Sequence, residues 1–230
     1  LKLKSNKIKK KFKKVVVDYF AFDITHENQI IILKEKLKKK NIIPDVLVNN
    51  AALNPKMKKF SKKLKTGTVE EYDINFLKKE MDVNLIAPFA MIKHFGPMMA
   101  QRKSGSIINI GSDLSINAPD QSVYHKSENL NKVKDFKPIG YSLSKFGIVG
   151  LTKYIATYWG HKNIRCNALV LGAVENNQPS FLKKNVSKRI PLRRWAKKNE
   201  YKKAIQFLSD NDSSYMTGQM LIMDGGRSSW

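Results

Sequence analysis

The sequence predicts an α/β protein built on a doubly wound, mostly parallel sheet. Short apolar runs of strand length alternate with longer segments of helical spacing, the pattern of βαβ units. Several of those runs are continuously apolar, as strands covered on both faces must be. The irregular segments each follow a strand, at the edge where open α/β sheets bind ligands.

Taken in chain order, Val15–Phe22 is β-branched and aromatic and reads as a strand followed by Asp23. Ile30–Leu37 has helical spacing, and Asp45–Asn49 is a buried strand. Val69–Arg102 reads as one long helical region, interrupted near Pro88 and Gly96-Pro97, because proline removes a helix donor. Ser106–Ile110 is a strand, Ile139–Trp159 a long helix and Ile164–Leu171 a further strand. A helix at Glu200–Ser209 leads to a last strand, Gln219–Met223. Leu53–Thr68, Asp113–Pro138 and Gly172–Asn199 are expected as loops on the functional edge. With no internal repeat and no low-complexity linker, the chain is expected to form a single domain over residues 1–230.

The composition excludes several function classes. The apolar content is spread in runs well short of the roughly 20 residues that cross a bilayer, so no membrane partner is expected. Leu1–Lys14 lacks the apolar centre of a signal peptide. Cys166 is the only cysteine, which rules out an internal disulfide and fits a reducing, cytoplasmic setting. The net charge of +24 raises the possibility of nucleic-acid binding. Yet only six of the 43 basic residues are Arg, the residue suited to bidentate phosphate and base recognition. The lysines are scattered among Asn and Ile, a pattern that biased coding produces, so no specific nucleic-acid partner is expected. The four histidines show no metal-ligand spacing, and Cys166 reads as a packing residue in a strand.

The chemistry points to Tyr141-Ser-Leu-Ser-Lys145. Four residues apart on a helix, the phenol and the ammonium share a face. A nearby cation favours phenolate and would lower a tyrosine pKa from about 10 toward the range of a general acid/base. The spacing alone is weak, since Tyr158 and Lys162 also satisfy it. Context favours Tyr141. The strand Ile107–Ile110 ends in Gly111-Ser112, which puts a hydroxyl at the carboxyl edge of the sheet. An earlier strand ends in Asn49-Asn50-Ala51-Ala52, Asn84 lies mid-helix in Asp82-Val83-Asn84-Leu85, and Met223-Asp224-Gly225-Gly226 follows the last strand.

In this order and context the motifs resemble the short-chain dehydrogenase/reductases, over essentially Val15–Gly226. The resemblance implies a Rossmann-like fold, a cofactor that is NAD or NADP, a small-molecule substrate, and a homotetramer or homodimer packed through the two long helical regions. It implies a catalytic set of Asn84, Ser112, Tyr141 and Lys145. Tyr141 would be the acid/base, and Lys145 would hold the nicotinamide ribose and depress the Tyr141 pKa. Ser112 would orient the carbonyl, and Asn84 would fix a water in a proton relay. Asp23 and Ile24 would contact the adenine, and Asn49, Ala51 and Ala52 would wall the adenosine and its ribose. Val170–Val174, with Gly172 and Val174, would lie along the nicotinamide.

The chain also departs from the family pattern. No strand–glycine-rich turn–helix that holds a pyrophosphate is present. The lysine-rich opening resembles the helix before the family's third strand, so the expectation is a sheet lacking the first βαβ unit, through a truncation of the gene or of the expressed chain. The residue that selects NAD over NADP would be missing with it. Ser112 and Tyr141 lie 29 positions apart, more than the family's usual spacing. The excess defines an active-site insertion within 113–138, while 172–199 forms a substrate lid. Tyr124 stands nearer the usual spacing but has Glu128, not lysine, four residues on. Leu171 replaces the usual proline, and Asn176 a threonine that contacts the nicotinamide amide. The insertion, Asn177-Gln178-Pro179 and the Gly226…Trp230 ending are similar to reductases associated with flagellin modification and nonulosonic-acid surface sugars. The expected function is therefore an NAD(P)-dependent oxidoreductase interconverting an alcohol and a carbonyl on a sugar or other polar substrate. The alternatives are a non-catalytic, truncated or degenerate partner subunit, and, behind it, a basic nucleic-acid-binding protein.

Overall fold

A computed structural model of the protein describes residues 2–55, 68–125 and 136–230. Four strands, β1 (Val46–Asn49), β2 (Gly105–Ser112), β3 (Ile164–Leu171) and β4 (Met220–Met223), form one parallel sheet in the order β1-β2-β3-β4. The register runs from Val46 opposite Ser106 to Leu171 opposite Met223. Around it lie α1 (Lys2–Lys11), α2 (Glu27–Lys39), α3 (Ile74–Met81), α4 (Ala87–Arg102), α5 (Ile139–Trp159), α6 (Ser180–Lys188) and α7 (Lys202–Ser209).

The pleat of β2 explains why the sheet is covered twice. Successive side chains point to opposite faces, and both neighbours Ile107 and Ile108 are fully buried. Ile107 joins Leu47, Ile30, Phe95, Met99, Ile155 and Cys166 in a core roofed by α2, α4 and α5. Ile108 joins Leu169, Ala204 and Leu208 under α7. Two-sided burial leaves no polar alternation in the strand, which is why the run looked continuous in the sequence. Where polar groups enter this interior they are paired. The Asn49 amide donates to Asn109 Oδ1 at 2.8 Å, and the Asn109 amide donates to Thr152 Oγ1 at 2.9 Å.

Three expectations need correction. Val15–Phe22 is not a strand: Val16 is 97% exposed and the segment has no ladder partner among the described residues. Strand propensity cannot supply the neighbouring backbone that a ladder requires, and only α1 precedes this segment among the described residues. Second, the helical region is not interrupted near Pro88 or Pro97. It runs from α3 through a π turn at Asp82–Ile86 into α4. The Ala87 N–H bonds Asp82 O, one residue wider than an α turn, so the helix absorbs the missing Pro88 donor by widening. Third, the loop expected over Gly172–Asn199 contains α6, whose Val186 packs with Val123, Ile190 and Trp195. Of the insertion, residues 126–135 lie outside the described residues, as do residues 56–67 of the loop after β1. The described parts of the insertion hold short 3-10 turns at Asp113–Ser115 and Gln121–Tyr124. No described helix is long and apolar enough to cross a membrane.

Candidate active site

The segments leaving the carboxyl ends of β1, β2 and β3 enclose a cleft of about 850 Å³. Its floor is Ile110–Leu114, its near wall Asn50, Ala52 and Asn54, and its far wall Leu171–Val174. The segment expected as a lid lines it with Gln178, Phe181 and Leu182, from α6 and the residues before it. This is the crevice that parallel strand topology leaves outside the strand ends.

Tyr141, Lys145 and Ser112 all line the cleft. The first two project from the first turns of α5, and Ser112 is the last residue of β2. Lys145 is buried, and its Nζ lies 5.7 Å from the Tyr141 ring centroid while donating to the Ile110 carbonyl at 2.6 Å. Burial disfavours its charged form and pulls its pKa down to about 8. Ser112 Oγ donates to Asp113 Oδ1 at 2.8 Å and accepts from the Leu114 N–H at 3.2 Å. Asp113 is in turn held by Arg227 at 2.5 Å in a pair whose side chains are 8% and 11% exposed. The extreme C-terminal segment thus braces the serine.

The electrostatics at the phenol differ from the sequence expectation. The Tyr141 pKa is raised, chiefly by burial, with the Asp113 charge adding to the rise and the Ser112 hydrogen bond opposing it. Lys145 spends a donor on a backbone carbonyl of β2, so its charge does not sit on the phenol oxygen.

Ala52, Gly172 and Val174 also line the cleft, alongside the small residues Gly111 and Ala173. The remaining candidates lie elsewhere. Asn84, in the π turn, is buried and clamps the loop after β1. Its Oδ1 accepts from the Leu53 N–H at 2.6 Å, and its Nδ2 donates to the Leu53 carbonyl at 2.9 Å and to Ser144 Oγ at 3.1 Å. Ser144 Oγ bonds the Tyr141 carbonyl at 2.9 Å, so Asn84 ties that loop to the tyrosine's own helical turn. Asn49 is a strut within the sheet, and Ala51 is exposed outside the cleft lining. Asp23 caps a local turn through Thr25 N and Oγ1 at 2.9 and 2.7 Å, which holds its carboxyl below the usual range. Ile24 adjoins it, also away from the cleft.

Sequence reasoning missed Lys137, Asp113 and Arg227. Lys137 Nζ lies 4.4 Å from the Tyr141 ring centroid and bonds Asn54 Oδ1 at 2.6 Å. Nothing in spacing flags it among 37 lysines, although its place four residues before Tyr141 was visible. The Gln178 side-chain amide is spent within its own segment, accepting from Asn176 N and donating to Val174 O. Among the described residues no cluster of three or more His, Cys, Asp or Glu could hold a metal.

Comparison with known proteins agrees with this architecture. A family model described as enoyl-(acyl carrier protein) reductase matches residues 2–228. The 3-oxoacyl-(acyl-carrier-protein) reductase of Thermotoga maritima is 32% identical over 219 residues, covering 91% of this chain and 76% of the relative. Dehydrogenase/reductase SDR family member 4 of rabbit, Oryctolagus cuniculus, is 31% identical over 189 residues, with 79% of this chain but only 63% of the relative covered. A short-chain dehydrogenase from Leptospira borgpetersenii, solved with bound NAD+, superposes with a TM-score of 0.81 at 26% identity, over 94% of this chain and 78% of that one. The parallel sheet, the cleft at its carboxyl edge and a match over nearly the whole sequence lead to one conclusion: this chain belongs to the short-chain dehydrogenase/reductase family.

Proposed function

We propose that the protein is an NAD(P)-dependent oxidoreductase that interconverts an alcohol and a carbonyl on a polar substrate such as a sugar. The observation that carries the reading is the meeting of Tyr141, Lys145 and Ser112 at one cleft.

The cleft suits a nicotinamide nucleotide. Gly111, Gly172 and Ala173 give a wall low enough for a flat ring to approach. An ammonium has three donors, so Lys145 keeps donors for ribose hydroxyls beyond the one bonded to Ile110. When bound, the nicotinamide supplies or accepts the hydride at the substrate carbon. The chain's own groups handle the proton and the orientation. Burial holds Tyr141 in its protonated form, the form that donates to a carbonyl oxygen; in the oxidative direction the phenolate takes the hydroxyl proton. The Ser112 hydroxyl donates to Asp113, and its hydrogen bond at the phenol opposes the rise in the Tyr141 pKa, so the serine and tyrosine oxygens together mark where the reacting oxygen sits. Asn84 acts at one remove, by holding Leu53 and Ser144.

Asn50, Asn54, Asn176 and Asn177 on the rim support a hydroxyl-bearing substrate. They also support the narrower reading of a surface-sugar reductase of the flagellin-modification or nonulosonic-acid kind. A second reading has its own observation: Phe181, Leu182 and Trp195 give the lid an apolar side, and the Thermotoga relative is named for an acyl substrate. The proposal includes a homodimer or homotetramer and a cytoplasmic setting.

The test is direct. Nicotinamide reduction is followed at 340 nm with polyols, sugars and 3-hydroxyacyl thioesters, in the wild type and in Tyr141→Phe. We expect at least a thousandfold loss of turnover in the variant, with NAD(P) binding within about twofold of the wild type. Retained turnover would refute the assignment, and preference for the thioester would select the second reading.

A further inference from the structure

We propose that the cleft contains an anion subsite built on Lys137, and that the substrate is therefore a hydroxy acid or keto acid, with its carboxylate a few bonds from the reacting carbon. This deepens the oxidoreductase reading and rests on it for the identity of the reacting carbon.

Lys137 is held in place rather than loose. Its backbone N–H donates to Gln121 Oε1 at 2.9 Å, and it stands two residues before α5 begins. Its ammonium lies 4.4 Å from the Tyr141 ring centroid, nearer than Lys145 at 5.7 Å. Of its three donors, one is engaged among the described residues, by the neutral Asn54 amide oxygen. The ring face offsets part of the charge, but a half-buried cation with no counter-charge among the described residues remains costly. Burial accordingly pulls its pKa down to about 8.

Among the described residues, the carboxylates whose fields reach Lys137 are Asp113 and Glu80, and both are committed elsewhere. Asp113 pairs with Arg227 and accepts from Ser112. Glu80 accepts from the Tyr72 hydroxyl at 2.6 Å, beneath the first turn of α5. The same imbalance holds around the cleft. Lys137, Lys145 and Lys198 each bond a neutral oxygen, on Asn54, Ile110 and Asn176 respectively. The only carboxylate lining the cleft among the described residues is Asp113, already spent on Arg227. Among the described residues the cleft thus carries positive charge without a matching carboxylate, with Lys137 and Lys145 beside the tyrosine. A substrate oxygen placed at the Tyr141 phenol brings a neighbouring carboxylate within reach of Lys137, where a charge-assisted hydrogen bond forms in a partly desolvated setting.

The experiment is calorimetric titration of the cofactor-free protein with tartrate, a hydroxy dicarboxylate, and with threitol, its uncharged counterpart. We expect tartrate to bind at least tenfold more tightly than threitol. Lys137→Met should weaken tartrate about tenfold or more, while Lys153→Met, on the exposed side of α5, leaves it unchanged. If Lys137→Met does not fold by circular dichroism, Lys137→Gln takes its place. Equal affinity for the two ligands, or a tartrate affinity indifferent to residue 137, overturns the proposal. So does a variant that loses NAD+ affinity and keeps tartrate, because the anion would then be a cofactor phosphate. Turnover in Tyr141→Phe separates the two claims. If that variant stays active while tartrate discrimination persists, the oxidoreductase assignment of Tyr141 fails and the anion subsite stands.

Discussion

Gly140 shows how a single position can be fixed by chemistry two elements away. A Cβ there would stand 2.0 Å from Glu80 Oε2 and 3.0 Å from Leu77 Cδ1. Glu80 is fully buried, and burial raises its carboxyl above the usual range even though the Tyr72 hydroxyl bonds it. The helix that carries Tyr141 therefore begins against a side chain that cannot retreat into water. Gly140→Ala should destabilise the fold by about 2 kcal/mol, the cost of overpacking an occupied site. Thermal denaturation checks it, and a melting temperature equal to wild type would show that Glu80 shifts freely. Two residues further along, the hydroxyl of Ser142 is buried with no hydrogen-bond partner among the described residues.

At the scale of the element, α5 does two jobs with two faces. One turns Tyr141 and Lys145 into the cleft. The other leaves Leu143, Phe146, Tyr154 and Tyr158 exposed at successive spacings of three, eight and four residues, with the rings of Tyr154 and Tyr158 stacked at 6.0 Å. Ile86 of the π turn and Phe89 of α4 are exposed as well. An apolar stripe of this length on a chain of net charge +24 is costly in water. Covering it with the same stripe of a second copy buries both, as isologous interfaces do. Sedimentation velocity at micromolar concentration should give a dimer or tetramer, and Phe146→Glu with Tyr154→Glu should give monomer. A monomeric wild type would remove the assembly from the proposal.

For the whole molecule, buried titratable groups set a pH dependence whose sign can be worked out. Lys137 and Lys145 have folded pKa values near 8, below their ordinary 10.5. Between those values the unfolded chain holds protons that the folded chain has released, so stability rises with pH. Cys166 acts oppositely: burial pushes it up from 9.0 to about 12, so above pH 9 the unfolded state loses a proton that the fold retains, and stability falls. Tyr201, raised from 10.0 to about 12, adds to that fall at higher pH. The net rise is thus confined to about pH 8–9. Urea midpoints should increase across that interval in the wild type and less so in Lys145→Met. A flat or falling wild-type profile would mean that the two amines are not desolvated as described.

The sequence by itself determined the layered α/β class, four of the five strands and the turn of α5 that bears Tyr141 and Lys145. Those features are local: a twice-covered strand must be apolar throughout, and side chains four apart on a helix must share a face. It could not decide Val15–Phe22, because strand propensity is satisfied only by a partner backbone that the tertiary structure did not bring. Nor could it see that Pro88 would be absorbed by a π turn, that Asn84 would spend its amide on Leu53, or that Arg227 would reach Asp113 across 114 positions. Lys137 is the sharpest case. As a letter it is one of 37, and only folding against the Tyr141 ring, with no free carboxylate beside it among the described residues, singles it out. Contacts distant in sequence carry no periodicity, so the chemistry they create is decided by packing alone.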